Sequence, residues 1–366
     1  MRAVVFDRFG ARPEVRQVPD PVPPAGGVLV GVEASGLCRS DWHGWRGDEP
    51  EIRLPHVPGH EFAGAVVAVG AGVPGWRVGD RVTAPFVNAC GRCPPCLAGD
   101  QQICERQMQP GFTGWGSFAE YVAVEHAEVN VVRLPDEVGY AAAAMLGCRF
   151  ATAFRAVVAR GRVAAGEWVA VYGCGGVGLS AVMIAVAAGA RVVAVDVAAA
   201  ALELAGSLGA TVCLDVAAAG PAELASAVRE ATGGGAHLSL DALGSHHTCV
   251  ASIQSLRWRG RHVQVGLLPP NRGRPALPMD LVIARELDLL GSHGMPAHAY
   301  PQLLGLVTGG ILRPDRLVTQ TIGLDGVPEA LSTMDRLGRA GVCLIHPGDA
   351  AVGRGSRAER PGPYVP

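Results

Sequence analysis

The chain has no lysine: all 31 of its basic residues are arginine, which removes Schiff-base and other lysine chemistry from the mechanisms open to it. Long apolar runs are also missing. No window holds the roughly 18 uninterrupted apolar residues that a membrane span needs, and the start, Met1-Arg2-Ala3-Val4-Val5-Phe6-Asp7, lacks the pattern of an export signal. This predicts a soluble, unexported, cytoplasmic protein without a membrane partner. Charge of one sign is scarce too: the 31 basic residues face 33 acidic ones, a net charge of −2. No field gathers a polyanion, so nucleic acid is excluded as the default partner. Gly 50 and Pro 27 remain below the share that marks a low-complexity chain, and 49% of the residues are hydrophobic. A chain of 366 residues with that content has material for about two domains.

The texture changes near residue 150. Before it, short Val-rich runs at 28–33, 63–69 and 78–83 are punctuated by Pro and Gly, as in an irregular, mostly β module. After it, Ala-rich helical segments alternate with short apolar runs, the rhythm of a parallel sheet covered on both faces. Strands are predicted near 168–172, 191–196, 211–215, 237–241, 262–266 and 286–290, with helices near 177–188, 198–207, 221–231 and 246–257. Six strands fit a complete doubly wound dinucleotide fold. Beyond about 290 the mixed pattern returns, and Gly348 to Pro366 reads as a polar, Pro-rich tail. The organisation expected is therefore a first domain, 1–149, to which 290–366 returns, interrupted by a second, 150–289.

Ten cysteines in a cytosolic-looking chain point to metal or redox chemistry before disulfides. Cys90-Gly91-Arg92-Cys93-Pro94-Pro95-Cys96, followed by Cys104, spaces four thiols so that they can converge on one tetrahedral cation. Four sulfur ligands leave no position for water or substrate, the signature of a structural zinc. No basic, aromatic stripe surrounds them, which argues against a nucleic-acid-binding zinc ribbon. A second set is scattered: Cys38 in Gly36-Leu37-Cys38-Arg39-Ser40-Asp41-Trp42-His43, His60 in Pro58-Gly59-His60-Glu61, and Cys148 in Leu146-Gly147-Cys148. Two thiolates and an imidazole with an open fourth position form the ligand set of a catalytic zinc. Spacing alone does not join these three, and each taken singly is an ordinary residue.

Trp168-Val169-Ala170-Val171-Tyr172 leads into Gly173-Cys174-Gly175-Gly176-Val177-Gly178 and then an Ala-rich helix, a G-x-G-x-x-G pattern with strand before and helix after. Gly173 makes the turn, Gly175 lets a pyrophosphate approach the backbone and Gly178 permits close helix packing. Asp196 ends the next strand, placed to bond an adenosine ribose and to repel a 2′-phosphate, so NAD is expected over NADP.

In combination these motifs resemble the zinc-containing medium-chain alcohol dehydrogenase family, and the resemblance runs to about residue 347. It implies an α/β protein with a GroES-like, mostly β catalytic domain interrupted by a Rossmann domain whose parallel sheet is doubly wound. Cys38, His60 and Cys148 match the family's catalytic zinc ligands, and Cys90, Cys93, Cys96 and Cys104 its structural zinc lobe, two zinc ions per chain. Ser40 and His43 match its proton relay, Asp41 the carboxylate that orients the histidine ligand, and Glu61 the acid beside the metal. Arg39 matches a pyrophosphate contact, Gly173, Gly175, Gly176, Val177 and Gly178 the dinucleotide loop, and Phe86 the alcohol pocket. The activity implied is hydride transfer between NAD(H) and a small-molecule alcohol, aldehyde or ketone, apolar or aromatic before highly charged, in a homo-oligomer, a tetramer before a dimer. A polyol or amino-alcohol dehydrogenase of the same fold, and a non-catalytic sensor of NAD and zinc, are the alternatives. Trp42, Trp45 and Trp115 flank the motifs as candidates to line the pocket, and His293 falls where the chain returns to the first domain, within reach of the cleft. Cys174, Cys213, Cys249 and Cys343 read as small buried hydrophobes, Asp241 as a turn cap, and His246 and His247 as the start of a helix.

Overall fold

The computed structural model describes residues 1–216, 220–268, 273–335 and 340–348; most of the predicted tail, 349–366, lies outside them. Six strands form one parallel sheet in the order Val212–Asp215, Arg191–Asp196, Trp168–Tyr172, Ala236–Asp241, Leu256–Gln264 and Asp288–Gly291. The central strands are buried almost throughout, because the helices Gly176–Ala187, Ala199–Ser207, Pro221–Ala231 and His246–Gln254 cover the sheet. The apolar runs Val169–Tyr172 and Val192–Val195 are thus the interior of a two-sided sheet.

A second, largely antiparallel sheet runs Val318–Gly323, Val342–His346, Val28–Leu37, Phe62–Val69, Arg81–Thr83 and Val132–Arg133, with Tyr121–Val124 also on Val28–Leu37. Its strands come from both ends of the chain, so the parallel sheet is an interruption of it. The α/β class, with a GroES-like part and a Rossmann part, is as the sequence predicts. The two parts share one core: Ala34 and Ala63 of the mixed sheet lie in a single apolar cluster with Met145, Phe150, Leu179 and Tyr300. Tyr300 donates its hydroxyl to the Leu146 carbonyl at 2.8 Å, fastening the returning segment beside Cys148.

Several expected elements differ in extent. The strand expected at 262–266 begins at Leu256, since its first half, Arg257-Trp258-Arg259, is exposed and carries no apolar run to announce it. The helix expected to 257 stops at Gln254 for the same reason. Of 78–83 only Arg81–Thr83 is strand, because Gly79 (φ +92°) and the Asp80 turn precede it. Cys213 is exposed, contrary to expectation: it lies on the edge strand, whose outer flank has no neighbouring strand among the described residues. Cys174 and Cys249 are buried, and Cys343 is half-buried.

Candidate functional site

Cys38 closes the long strand Val28–Leu37 and sits at the N-cap of the helix Arg39–Arg46. Three residues on, Asp41 turns back: its Oδ2 accepts the Cys38 backbone N–H at 2.8 Å, and its Oδ1 accepts those of Gly59, at 3.1 Å, and of the His60 ring Nδ1, at 2.8 Å. One buried carboxylate therefore fixes two segments about twenty residues apart and sets the His60 tautomer. With Nδ1 donating, the bare Nε2 faces inward, and among the described residues it is a buried nitrogen without a hydrogen-bond partner.

Cys148 reaches the same point from the N-cap of the helix Arg149–Phe154. Donor atoms of Cys38, His60, Glu61 and Cys148 all lie within 4.8 Å of one another. A hydrogen bond from Cys148 holds the Cys38 thiol well below its ordinary range despite burial; that bond and burial push Cys148 well above it. Burial opposes a charge on His60, yet Asp41 and Cys38 raise it overall. Two sulfurs sharing one proton beside an imidazole drawn toward protonation make a donor set short of positive charge, and a divalent cation supplies it. The residues fit a zinc ion.

Ser40 Oγ lies 3.9 Å from Cys38 Sγ. His43, on the same helix, bonds Asp48 Oδ2 through Nδ1 at 3.0 Å, and both side chains are about a quarter exposed, so the imidazole stands between the interior and water. Phe112 and Phe86 face the His60 ring, with centroids 5.0 and 6.2 Å away. His293 meets Phe86 edge to face at 5.2 Å and donates from Nδ1 to the Gln102 carbonyl, so it does border this wall. Trp42 and Trp45 belong instead to the core beneath it, with Phe6, Ile52 and Phe112. Trp115 is 40% exposed and donates to the Pro55 carbonyl. Arg39 lies over the Trp42 ring at 4.3 Å and donates to the Met334 carbonyl.

Cys90, Cys93, Cys96 and Cys104 gather in a separate lobe, all buried, with Cys93 Sγ 3.3 Å from Cys96 Sγ and 3.7 Å from Cys104 Sγ. Backbone N–H groups of Arg92 and Cys93 help bring the Cys90 thiol down to about 6, while burial and its sulfur neighbours push Cys96 up to about 12. Four thiols so crowded ionise together only around a cation, and they fit a closed tetrahedral site.

The glycine loop is built as its pattern requires. Gly173 turns at φ +88°, and a side chain at Gly178 would run into the Gly173 carbonyl. Gly175 is the N-cap of the helix Gly176–Ala187, and Val177 is half-buried beside it. Asp196 is engaged by this loop: its Oδ2 accepts the Cys174 backbone N–H at 2.6 Å and its Oδ1 those of Val197 and Ala198. Asp241 caps its turn, accepting from Leu243 and Gly244, and His246 opens a helix whose cap is Ser245.

Sequence reasoning missed Arg149, Phe112 and Asp48. Arg149 is buried and clasps Glu61, donating from its backbone N–H and Nε to Oε1, at 2.9 and 2.8 Å, and from Nη2 to Oε2. Burial pushes the Glu61 carboxyl up, to about 7, against the pull of that guanidinium. The available signal was a lone charge directly after Cys148 in an otherwise apolar stretch.

Residues 24–136 match the family described as the alcohol dehydrogenase GroES-like domain, and residues 176–309 the one described as zinc-binding dehydrogenase. An alcohol dehydrogenase of Geobacillus stearothermophilus is 39% identical over 273 residues, 74% of this chain and 78% of its own. A second from the same organism is 32% identical over 338 residues, 92% and 96% of the two chains. The chain belongs to the zinc-containing medium-chain alcohol dehydrogenase family. It is an enzyme, a zinc-dependent oxidoreductase that interconverts an alcohol and an aldehyde or ketone. Among solved structures of the family, one described as an NAD-dependent alcohol dehydrogenase superposes with a TM-score of 0.84 at 32% identity, covering 95% of this chain and 100% of its own. No helix among the described residues of this alcohol dehydrogenase is long and apolar enough to cross a membrane.

Proposed function

We propose that this alcohol dehydrogenase holds a catalytic zinc on Cys38, His60 and Cys148 and a structural zinc on Cys90, Cys93, Cys96 and Cys104, and transfers hydride to and from NAD(H) bound at the 173–178 loop. The observation that carries this is the convergence of two thiols and the unpartnered His60 Nε2 at one buried point. NAD is favoured by the carboxylate of Asp196 beside the loop, and a neighbour in structure is described as NAD-dependent. When bound, zinc supplies the Lewis acidity that makes an alcohol hydroxyl acidic near neutral pH, and the nicotinamide supplies the hydride acceptor.

The chain's own residues do the rest. Asp41 keeps His60 in the tautomer that presents Nε2, and its bond to the Cys38 backbone keeps the two donors in register. Ser40 Oγ accepts the proton leaving the substrate hydroxyl as it releases its own, and His43, steadied at Nδ1 by Asp48, takes up the proton so released and gives one to water. Phe86, Phe112 and His293 form a mostly apolar wall that excludes water from the reacting carbon and suits an apolar or aromatic alcohol. Glu61 stands beside the donors, and Arg39 contributes to the pyrophosphate site. The domains of this reading are 1–149 with 290–366, and 150–289. The interval from Cys38 to Cys148 resembles that of the family's compact, often tetrameric members and supports a homotetramer over a dimer, and six cysteines read as metal ligands before disulfides support a cytoplasmic location.

The test is metal analysis with an initial-rate screen of primary, secondary, aromatic and polyhydroxy alcohols against NAD and NADP. Cys148→Ala is expected to lose about one equivalent of zinc and all turnover. A fully metallated, fully active variant would overturn the ligand assignment.

A further inference from the structure

Between the donors of the proposed catalytic metal and the glycine loop lies a guanidinium that neither function accounts for. Arg149 is 3% exposed. Its Nε and Nη2 are spent on Glu61, and Nη2 also donates to the Leu37 carbonyl at 2.9 Å. The remaining nitrogen, Nη1, makes no hydrogen bond among the described residues. It points at the loop: a Cβ placed on Gly176 would come within 3.1 Å of Nη1 and 2.7 Å of Cδ, so the arginine packs against the bare Cα at this position.

Gly176 is the first residue of the twelve-residue helix that follows the loop. A helix start carries partial positive charge and free N–H groups. A buried cation beside it is unfavourable unless negative charge is shared between them, and Glu61, on the far side of the guanidinium, reaches only one flank. A dinucleotide on this loop supplies the oxygens for the other.

We infer that Arg149 is a positioning residue that ties the bound dinucleotide to the metal site, with Nη1 donating to an oxygen of the dinucleotide while Nε and Nη2 restrain the Glu61 carboxylate, which stands within 4.8 Å of the Cys38, His60 and Cys148 donor atoms. The inference rests on the proposed reading of both sites. Without dinucleotide, the arginine is anchored on one side only, and Glu61 has more freedom to approach the metal as a competing ligand. With dinucleotide bound, the fork is fixed at both ends and Glu61 with it. The consequence is reciprocal coupling: the dinucleotide slows loss of the catalytic zinc, and the zinc-loaded site binds the dinucleotide more tightly.

The experiment follows transfer of zinc to a chromophoric chelator from the full chain, with and without saturating NADH, alongside NADH titration by fluorescence. Arg149→Lys keeps the charge but cannot serve both partners at once. Its NADH dissociation constant is expected to rise about tenfold, and the slowing of zinc release by NADH to vanish. Glu61→Gln is expected to lose the same slowing of zinc release, with a rise in the NADH dissociation constant smaller than that of Arg149→Lys, because the coupling is lost while the direct Nη1 contact remains. Should Arg149→Lys destabilise the fold, Arg149→Gln combined with Glu61→Gln removes both charges together and is expected to show the same loss of coupling. A role in stability alone would lower the melting temperature and leave the NADH effect intact. The inference is overturned if Arg149→Lys binds NADH as the wild type does and NADH slows its zinc release by the same factor. It is overturned alone, with the functional reading standing, if the wild type binds NADH and zinc release is indifferent to it; a wild type that binds no NADH overturns both.

Discussion

Asp196 does two things at once. Its carboxylate clips the glycine loop to the end of its strand through the Cys174 N–H, and on the proposed reading of the loop it sets negative charge against a 2′-phosphate. Replacing it by glycine removes both, so NAD affinity should fall, and the ratio of kcat/KM for NADP over NAD should rise at least about tenfold, the scale of one charge-assisted contact. Steady-state kinetics with both cofactors measures this, and an unchanged ratio would show that other groups decide. At this scale the proposed donors were legible only as a set, through the family resemblance, because Cys38, His60 and Cys148 taken singly are ordinary residues. Asp41 was legible too, three residues from Cys38. Arg149 was not. Its partner Glu61 lies 88 residues away, and nothing in either local stretch says that a loop and a helix N-terminus meet across it.

Among the elements, Ala236–Asp241 and Leu256–Gln264 are joined by a polar chain within an otherwise apolar sheet. His262 bonds Ser252 and Ser239 through Nδ1 and Gln264 through Nε2, and Gln264 donates on to Asp241. Burial pushes the His262 imidazole down to about 4, and Gln264 only partly opposes it. Below its ordinary value the unfolded chain takes up a proton that the native ring refuses, so stability falls as pH drops from about 6.5 to about 4, by roughly 3 kcal/mol in all. Thermal midpoints across that window should decline less for His262→Gln than for the wild type, even though the variant starts lower at pH 7. Parallel declines would remove His262 from the account of acid sensitivity. The same strand shows where pattern reading fails. Central strands such as Arg191–Asp196 announce themselves as apolar runs, whereas the first half of Leu256–Gln264 lies where the pairing register breaks between Leu256 and Arg261, is tied by the Arg259 N–H to the Arg285 carbonyl at 2.8 Å, and shows charged side chains to water.

For the whole molecule, the interruption of one sheet by another could be read from the change of texture near 150 and its reversal near 290. How the two parts meet could not, since it depends on contacts such as Arg155 to Asp100 and Arg149 against Gly176 that have no local signature. The cysteine lobe stands at this scale as well. It reaches the active-site wall through the Gln102 carbonyl and His293, and the dinucleotide side through Asp100 and Arg155. Cys96→Ser should release one zinc equivalent, leave the catalytic equivalent in place and lower the melting temperature by about 5 °C or more. Retention of both equivalents would contradict the lobe's assignment. Cys148 begins a helix, Arg149–Phe154, that runs on into the wider turns of Arg155–Arg160 before the chain enters the parallel sheet. Mechanically this is a lever whose short end is a proposed metal ligand. Over a length of about 15 Å, a swing of about 5° displaces one end by about 1 Å, several times the ~0.2 Å latitude of a metal–ligand bond. With Cys148 as a metal ligand, the first turns have no room to swing, and a displacement of the parallel sheet against the rest is expected to be absorbed beyond Phe154, in the more loosely wound segment.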